Sequence, residues 1–148
     1  MKIEKILVPV DFSPCSRAAL KYAVHFGNHL GSTAVDVLHV WRPPMYLDPA
    51  TKLQEPGGKE AMLHDFVQRQ AGQAMKEFLV ELEEGGQFEV QGRLETGPLP
   101  QTILQIAVEG AYDLIVMGTH GASTDTKLGS VAQKVVRNAA CPVLTIRY

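Results

Sequence analysis

The sequence is poor in the residues that mark whole classes of protein. Only two of its 148 residues are cysteine, Cys15 and Cys141, far apart and without CxxC spacing. Neither a redox motif nor a zinc site is suggested, and two reduced thiols are expected. No basic run and no RNA-binding signature occurs, and the formal net charge is −2. A polyanion partner is disfavoured, so no nucleic acid is expected. Long apolar runs are missing too: the one in MKIEKILVPV holds about five residues behind Glu4, too short for a signal peptide or a membrane span. A cytoplasmic chain without a membrane partner is expected. The patterns GxxxxGK[ST], GxGxxG and GxSxG are absent, which removes the P-loop, dinucleotide and hydrolase signatures. No spacing of carboxylates and a nucleophile stands out, so no catalytic residue is assigned.

What is there reads as one folded unit. With 45% hydrophobic and 20% charged residues, the chain is globular rather than disordered. Its length suits a single domain over residues 1–148 that buries roughly 68–70% of its unfolded surface. Ile3 to Val10 carries a nearly continuous apolar run, as in a strand covered on both faces. Ser13 is a good N-cap and Pro14 a good first helical residue. Ala18, Ala19, Tyr22, Ala23 and Phe26 then recur at helical spacing, and the helix ends near Gly31. Ala34 to Trp41 reads as a second strand.

Arg42 to Gly58, with four prolines and two glycines, reads as a long surface loop. A long helix is expected from about Lys59 to Glu84, closed by Gly85 and Gly86, with Glu81, Glu83 and Glu84 exposed at its end. Phe88 to Leu94 reads as a third strand. Gly97-Pro98-Leu99-Pro100 opens a short helix that turns Ile103, Leu104, Ile106 and Ala107 inward and closes at Gly110. Asp113 to Met117 is the fourth strand. Val131, Ala132, Val135, Val136 and Ala139 mark a last helix, and Cys141 to Arg147 the fifth strand. Strict alternation selects an α/β fold, a five-stranded parallel doubly wound sheet. Ligands bind such sheets outside the C-terminal strand ends, which singles out Asp11, His39 to Trp41, and Gly118.

The organising stretch is Ala111 to Ala132, AYDLIVMGTHGASTDTKLGSVA. It reads as strand, glycine loop, helix, with Gly118, Gly121 and Gly129 followed by Ser130. Glycine lets backbone N–H groups approach an anion, and the helix start offers unpaired donors, so the loop can hold a phosphate. Lys127 supplies a cation there, whereas Asp125 repels a triphosphate unless Mg²⁺ lies between them. The other reading is a connection that merely caps the last helix. His120 is placed to touch a phosphate or simply to make the turn. His25 and His29 have a spacing that can share a metal, but without a third ligand they read as structural, and no metal site is assigned. Cys15, near a helix start, is either a reactive or an inert buried thiol.

The segments KILVPVDFS, VLHV and DLIVMGTHG followed by GSVAQKVVRNAACPVLTI resemble the universal stress protein family over nearly the whole chain. That resemblance implies a Rossmann-like, adenine-nucleotide alpha-hydrolase-like fold, usually homodimeric, in a family where some members bind ATP and others do not. The binders share glycine, two residues, glycine, nine residues, glycine, then serine or threonine. Gly118, Gly121, Gly129 and Ser130 line up, but only the seven residues Ala122 to Leu128 separate the last two glycines. The two missing residues remove up to about 7 Å of extended chain, against a donor distance of roughly 3.2 Å.

By the same resemblance Asp11 bonds the ribose or base, with Pro9 and Val10 beside it. Val40 meets the adenine through its backbone, and Met117 packs on base or ribose. Gly118, His120, Gly121, Lys127, Gly129, Ser130 and Val131 surround the phosphates. The implied function is a stress-response regulatory protein that binds ATP or a related adenine nucleotide, with Mg²⁺ beside a triphosphate, and has little or no turnover. The alternative is a ligand-free dimeric scaffold or adaptor whose shortened loop no longer binds nucleotide. In both, a homodimer is expected through the fifth strand, Pro142 to Arg147, whose edge pairing would remove an exposed edge.

Overall fold

The computed structural model describes residues 2–31, 34–42, 48, 50–80, 82, 89–121 and 128–148. In chain order the elements are β1 (Lys5–Pro9), α1 (Pro14–Leu30), β2 (Ala34–Trp41), β3 (Lys52–Gln54), β4 (Glu60–Met62), α2 (Leu63–Val80), β5 (Glu89–Thr96), α3 (Leu99–Glu109), β6 (Leu114–Gly118), α4 (Ser130–Asn138) and β7 (Val143–Ile146). Five strands form one parallel sheet in the order β5-β2-β1-β6-β7. The order reverses between β1 and β6, which makes the sheet doubly wound, as the alternation of strand and helix patterns predicts.

Side-chain alternation along the strands divides the core in two. Ile6, Val8, Val35, Val37 and Val116 face one way and pack with Ala19, Leu20 and Ala23 of α1 and Met75 and Phe78 of α2. Leu7, Leu38, Ile115 and Met117 face the other way and pack with Ile103, Ile106 and Ala107 of α3 and Ala132 and Val135 of α4. Both faces of β1 are therefore covered, which is why its sequence is continuously apolar rather than alternating. Among the described residues no helix is long and apolar enough to cross a membrane.

The stretch Arg42 to Gly58 is not wholly irregular. Lys52–Gln54 pairs antiparallel with Glu60–Met62, around a turn in which Gly57 and Gly58 have φ of 101° and 82°. Only glycine enters that region cheaply. The same pairing corrects the start of the second helix: Lys59 to Met62 are drawn into the hairpin, Leu63 N–H donates to Thr51 O at 2.8 Å, and α2 runs only from Leu63 to Val80. Three-residue strands carry too little pattern to be read from sequence. The third strand runs on to Thr96, and the fourth takes in Gly118. The glutamate cluster's Glu81, Glu83 and Glu84, and Gly85, Gly86 and Phe88, lie outside the described residues.

At the N-terminal edge of the sheet the elements are stapled by polar contacts. Asp113 Oδ2 accepts the N–H groups of Glu4 and Lys5 at 2.9 and 3.0 Å, and these bonds hold its carboxyl below the usual range. Lys5 Nζ donates to Gly110 O at 2.6 Å and lies 4.9 Å from the centre of the Tyr112 ring. The Tyr112 hydroxyl donates to Asp36 Oδ2. Burial, and then the Asp36 carboxylate, push the phenol from 10.0 up to about 12.

A phenol raised on folding stabilises the fold fully below its unfolded value and loses that contribution as pH climbs through its folded one. Unfolding free energy is expected to fall between pH 10 and about 12. Tyr112→Phe should flatten that fall and remove a late step in tyrosinate absorbance, at a cost of about 1–3 kcal/mol near neutral pH for the lost charge-assisted bond. Denaturant titrations across that range check both.

Candidate functional site

Where strand order reverses, the C-terminal ends of β1 and β6 splay apart and a cleft of about 370 Å³ opens. Pro9, Val10 and Asp11 reach it from β1 and its exit, Val40 from β2, and Met117 and Gly118 from β6. His120 and Gly121 follow the exit of β6, while Gly129, Ser130 and Val131 form the start of α4. Eleven of the twelve residues that the sequence analysis assigns to the nucleotide thus meet around one cavity, and His39 and Trp41, also singled out at the end of the second strand, do not line it. Lys127, with Asp125 and the rest of 122–127, lies outside the described residues.

Glycines at this end permit three close approaches. A Cβ at Gly118 would stand 2.8 Å from Cys15 Sγ and 3.2 Å from the Cys15 carbonyl carbon, so the first turn of α1 rests directly on the end of β6. Cys15 is 2% exposed and its Sγ–H donates to Ile146 O at 3.4 Å, which is the buried, bonded state of that thiol. A Cβ at Gly121 would stand 2.4 Å from Asp11 Oδ2; the glycine loop passes tightly over the Asp11 carboxylate. A Cβ at Gly129 would meet Thr119 O at 3.2 Å, next to the bond by which Gly129 N–H donates to that same oxygen at 2.6 Å. That bond closes the mouth of the loop. The exit of β6 is anchored in turn by Thr119 N–H donating to Ile146 O at 2.9 Å.

The cleft offers three kinds of surface. Ser130, Val131 and Ala132 occupy the first turn of α4, behind a Gly129 cap that makes no side-chain bond. Helix-start N–H groups have no intrahelical partner and carry the positive end of the helix dipole, so this side suits an anion. Asp11 faces it from the other side, its Oδ1 accepting Ser13 N–H at 3.1 Å. Leu38, Val40, Ile103 and Met117 make an apolar wall. His120 joins Thr119 Oγ1 through Nδ1 at 2.9 Å. Among the described residues no three His, Cys, Asp or Glu side chains converge as metal ligands would. The arrangement suits a flat apolar group joined through a hydroxylated link to an anion.

Sequence reasoning missed Ser16, Leu38, Leu99, Ile103, Thr119 and Ala132 as cleft residues. Two had a signal. Leu38 shares a sheet face with Val40 by the period of two, and Leu99 shares a helix face with Ile103 by the spacing of four. That α3 stands over the end of β2 follows only from strand order.

Comparison with known proteins agrees with this fold. The universal stress protein family matches residues 2–147. Universal stress protein MJ0577 of Methanocaldococcus jannaschii is 30% identical over 155 aligned residues, covering 97% of this chain and 94% of its own. The structure of universal stress protein UspA from Lactobacillus plantarum superposes with a TM-score of 0.79 at 25% identity, over 99% of both chains. The universal stress protein from Archaeoglobus fulgidus, solved in complex with dAMP, has a TM-score of 0.62 at 23% identity, again over 99% of both chains. With nearly every residue inside the family match, the chain belongs to the universal stress protein family.

Proposed function

We propose that this protein binds an adenine nucleotide in the cleft between β1 and β6 and acts as a regulatory binding protein with little or no turnover. The observation that carries the reading is the convergence of Gly118, Gly121, Gly129 and the start of α4 with Asp11 on one cavity. Its volume falls in the range of roughly 300–1,000 Å³ usual for small-molecule sites. The apolar wall takes the base, the Asp11 carboxylate the ribose hydroxyls, and the α4 start with the glycine backbone the phosphate. That the A. fulgidus universal stress protein was solved in complex with dAMP supports an adenine nucleotide as the ligand class.

ATP is the finer reading. Its triphosphate would be held at Gly118, Gly121, Gly129 and Ser130 with Mg²⁺ coordinated mainly by the phosphates, since no protein cluster is placed for it among the described residues. Water attack on a phosphate would need a positioned base, and among the described residues His120 is the one imidazole at the cleft, engaged with Thr119. Hydrolysis is therefore expected to be slow or nil. The protein is further proposed to work in the cytoplasm as a homodimer. β7 is an edge strand of the sheet, and pairing of Pro142 to Arg147 with its copy would satisfy that edge.

Four measurements test this. Protein purified, denatured and run by HPLC with mass detection should release adenine nucleotide, and Mg-ATP or AMP should raise the unfolding temperature of nucleotide-free protein. Gly121→Val, whose side chain must push the Asp11 carboxylate aside, should abolish that rise while leaving unfolding without nucleotide nearly unchanged. Absence of both bound nucleotide and thermal shift would leave the ligand-free scaffold in its place. In a phosphate-release assay, turnover well below one per second is expected; several turnovers per second would make the protein an ATPase. Light scattering at micromolar concentration should give the mass of a dimer, and a monomer would remove the β7 interface.

A further inference from the structure

We propose that His39 is a positioning residue of this site: from outside the cleft it holds the β1–α1 turn in the conformation that directs Asp11 at the ribose. The inference rests on the nucleotide reading above and adds the residue that sets its affinity.

His39 belongs to β2 but faces the sheet side of α1 and α2, opposite to Leu38 and Val40, and does not line the cleft. Its Nδ1 lies 2.9 Å from Val10 O. A carbonyl can only accept, so Nδ1 carries the proton and donates. Val10 N–H donates to Leu38 O at 2.8 Å, so both backbone polar groups of Val10 are tied to β2. The next residue is Asp11.

The residue after that, Phe12, has φ of 63°, a left-handed backbone that side chains other than glycine, asparagine and aspartate rarely adopt. This inversion sends Asp11 and Phe12 to opposite sides of the turn. Asp11 lines the cleft beneath Gly121. Phe12 packs away from it, its ring stacked on His39 at 4.5 Å and 29° and edge-on to Phe78 of α2 at 5.5 Å and 70°. The guanidinium of Arg17 lies 4.6 Å from the centre of the Phe78 ring. His39 therefore grips the inverted turn twice, by a hydrogen bond before Asp11 and by a ring stack after it. The carboxylate between the two grips has its Oδ1 occupied by Ser13 N–H, and its Oδ2 is the atom next to Gly121.

Two variants separate the grips. His39→Phe keeps a ring for Phe12 and loses the donor; His39→Asn keeps a short N–H donor and loses the ring. Calorimetry with AMP, and with its 2′,3′-dideoxy analogue, reads the consequence. His39→Phe should bind AMP about tenfold more weakly, the equivalent of one hydrogen bond to a charged group, and should bind the dideoxy analogue as the wild type does, because that ligand offers Asp11 no hydroxyl. His39→Asn should recover part of the AMP affinity. Equal losses for both ligands, or none for AMP, would overturn the assignment. Hydrogen exchange of the Ser13 amide, followed by NMR without nucleotide, reads the turn independently. Its protection should drop about tenfold in His39→Phe and return in His39→Asn, and unchanged protection also overturns the proposal. A wild type that binds neither ligand but loses Ser13 protection in His39→Phe refutes the nucleotide reading and retains His39 as the residue that positions Asp11.

Discussion

The structure depends on one close contact, the first turn of α1 against the last residue of β6. Gly118 has no side chain, and the backbone and thiol of Cys15 occupy the space a Cβ would need. A helix resting there fixes how the chain leaves β1, since Asp11 to Ser13 must bridge the end of a central strand to a helix already pressed against its neighbour. That bridge brings Asp11 beneath Gly121. Cleft, carboxylate and glycine loop are thus consequences of one packing arrangement, and the glycine that looks like a phosphate residue in the sequence is equally a packing residue.

The two ends of the sheet are built on opposite principles. At the N-terminal edge, polar groups are paired across elements: Asp113 with two backbone N–H groups, Lys5 with Gly110, Tyr112 with Asp36. At the C-terminal edge the first turns of α1 and α4 both reach the cleft, through Ser16 and Ser130, and bring the positive ends of two helices to it. Each end carries one left-handed residue other than glycine, Ala111 at the N-terminal edge and Phe12 here. The left-handed Phe12 costs about 1–2 kcal/mol, and ring contacts of the kind it makes with His39 and Phe78 return about 0.5–1.5 kcal/mol each. The terms are comparable, so the inverted turn is held by its ring contacts and hydrogen bonds together, not by local preference.

The legible part of this protein was whatever repeats with a period or stops with a cap. Covered strands such as β1, expected within Ile3 to Val10 and found at Lys5–Pro9, the Ser13-Pro14 start of α1 and the glycine spacing from the end of β6 all declare themselves, because each reflects a local rule applied over several residues. The family resemblance joined these pieces into one site. The hairpin of β3 and β4 did not show, since three-residue strands with a single half-buried side chain each weigh little beside four nearby prolines, and the helix expected at Lys59 begins at Leu63 for that reason. Nor did Ile103 show as a cleft residue. Its inward face was readable, but the strand order that carries α3 over β2 is a property of the whole sheet. His39 was marked only as lying near a strand end, while its role comes from an inverted backbone at Phe12 that no propensity favours.

The shortened glycine loop takes on a definite meaning in this frame. Seven residues instead of nine between Gly121 and Gly129 change the entropy of closing a loop by only about 0.2 kcal/mol, too little to matter for folding. The Gly129 N–H to Thr119 O bond fixes the loop's mouth at 2.6 Å, independently of how much chain lies between. Groups at the mouth, Gly121, Gly129 and the start of α4, are held by contacts outside the loop. On the proposed reading, a phosphate next to the ribose meets these anchors.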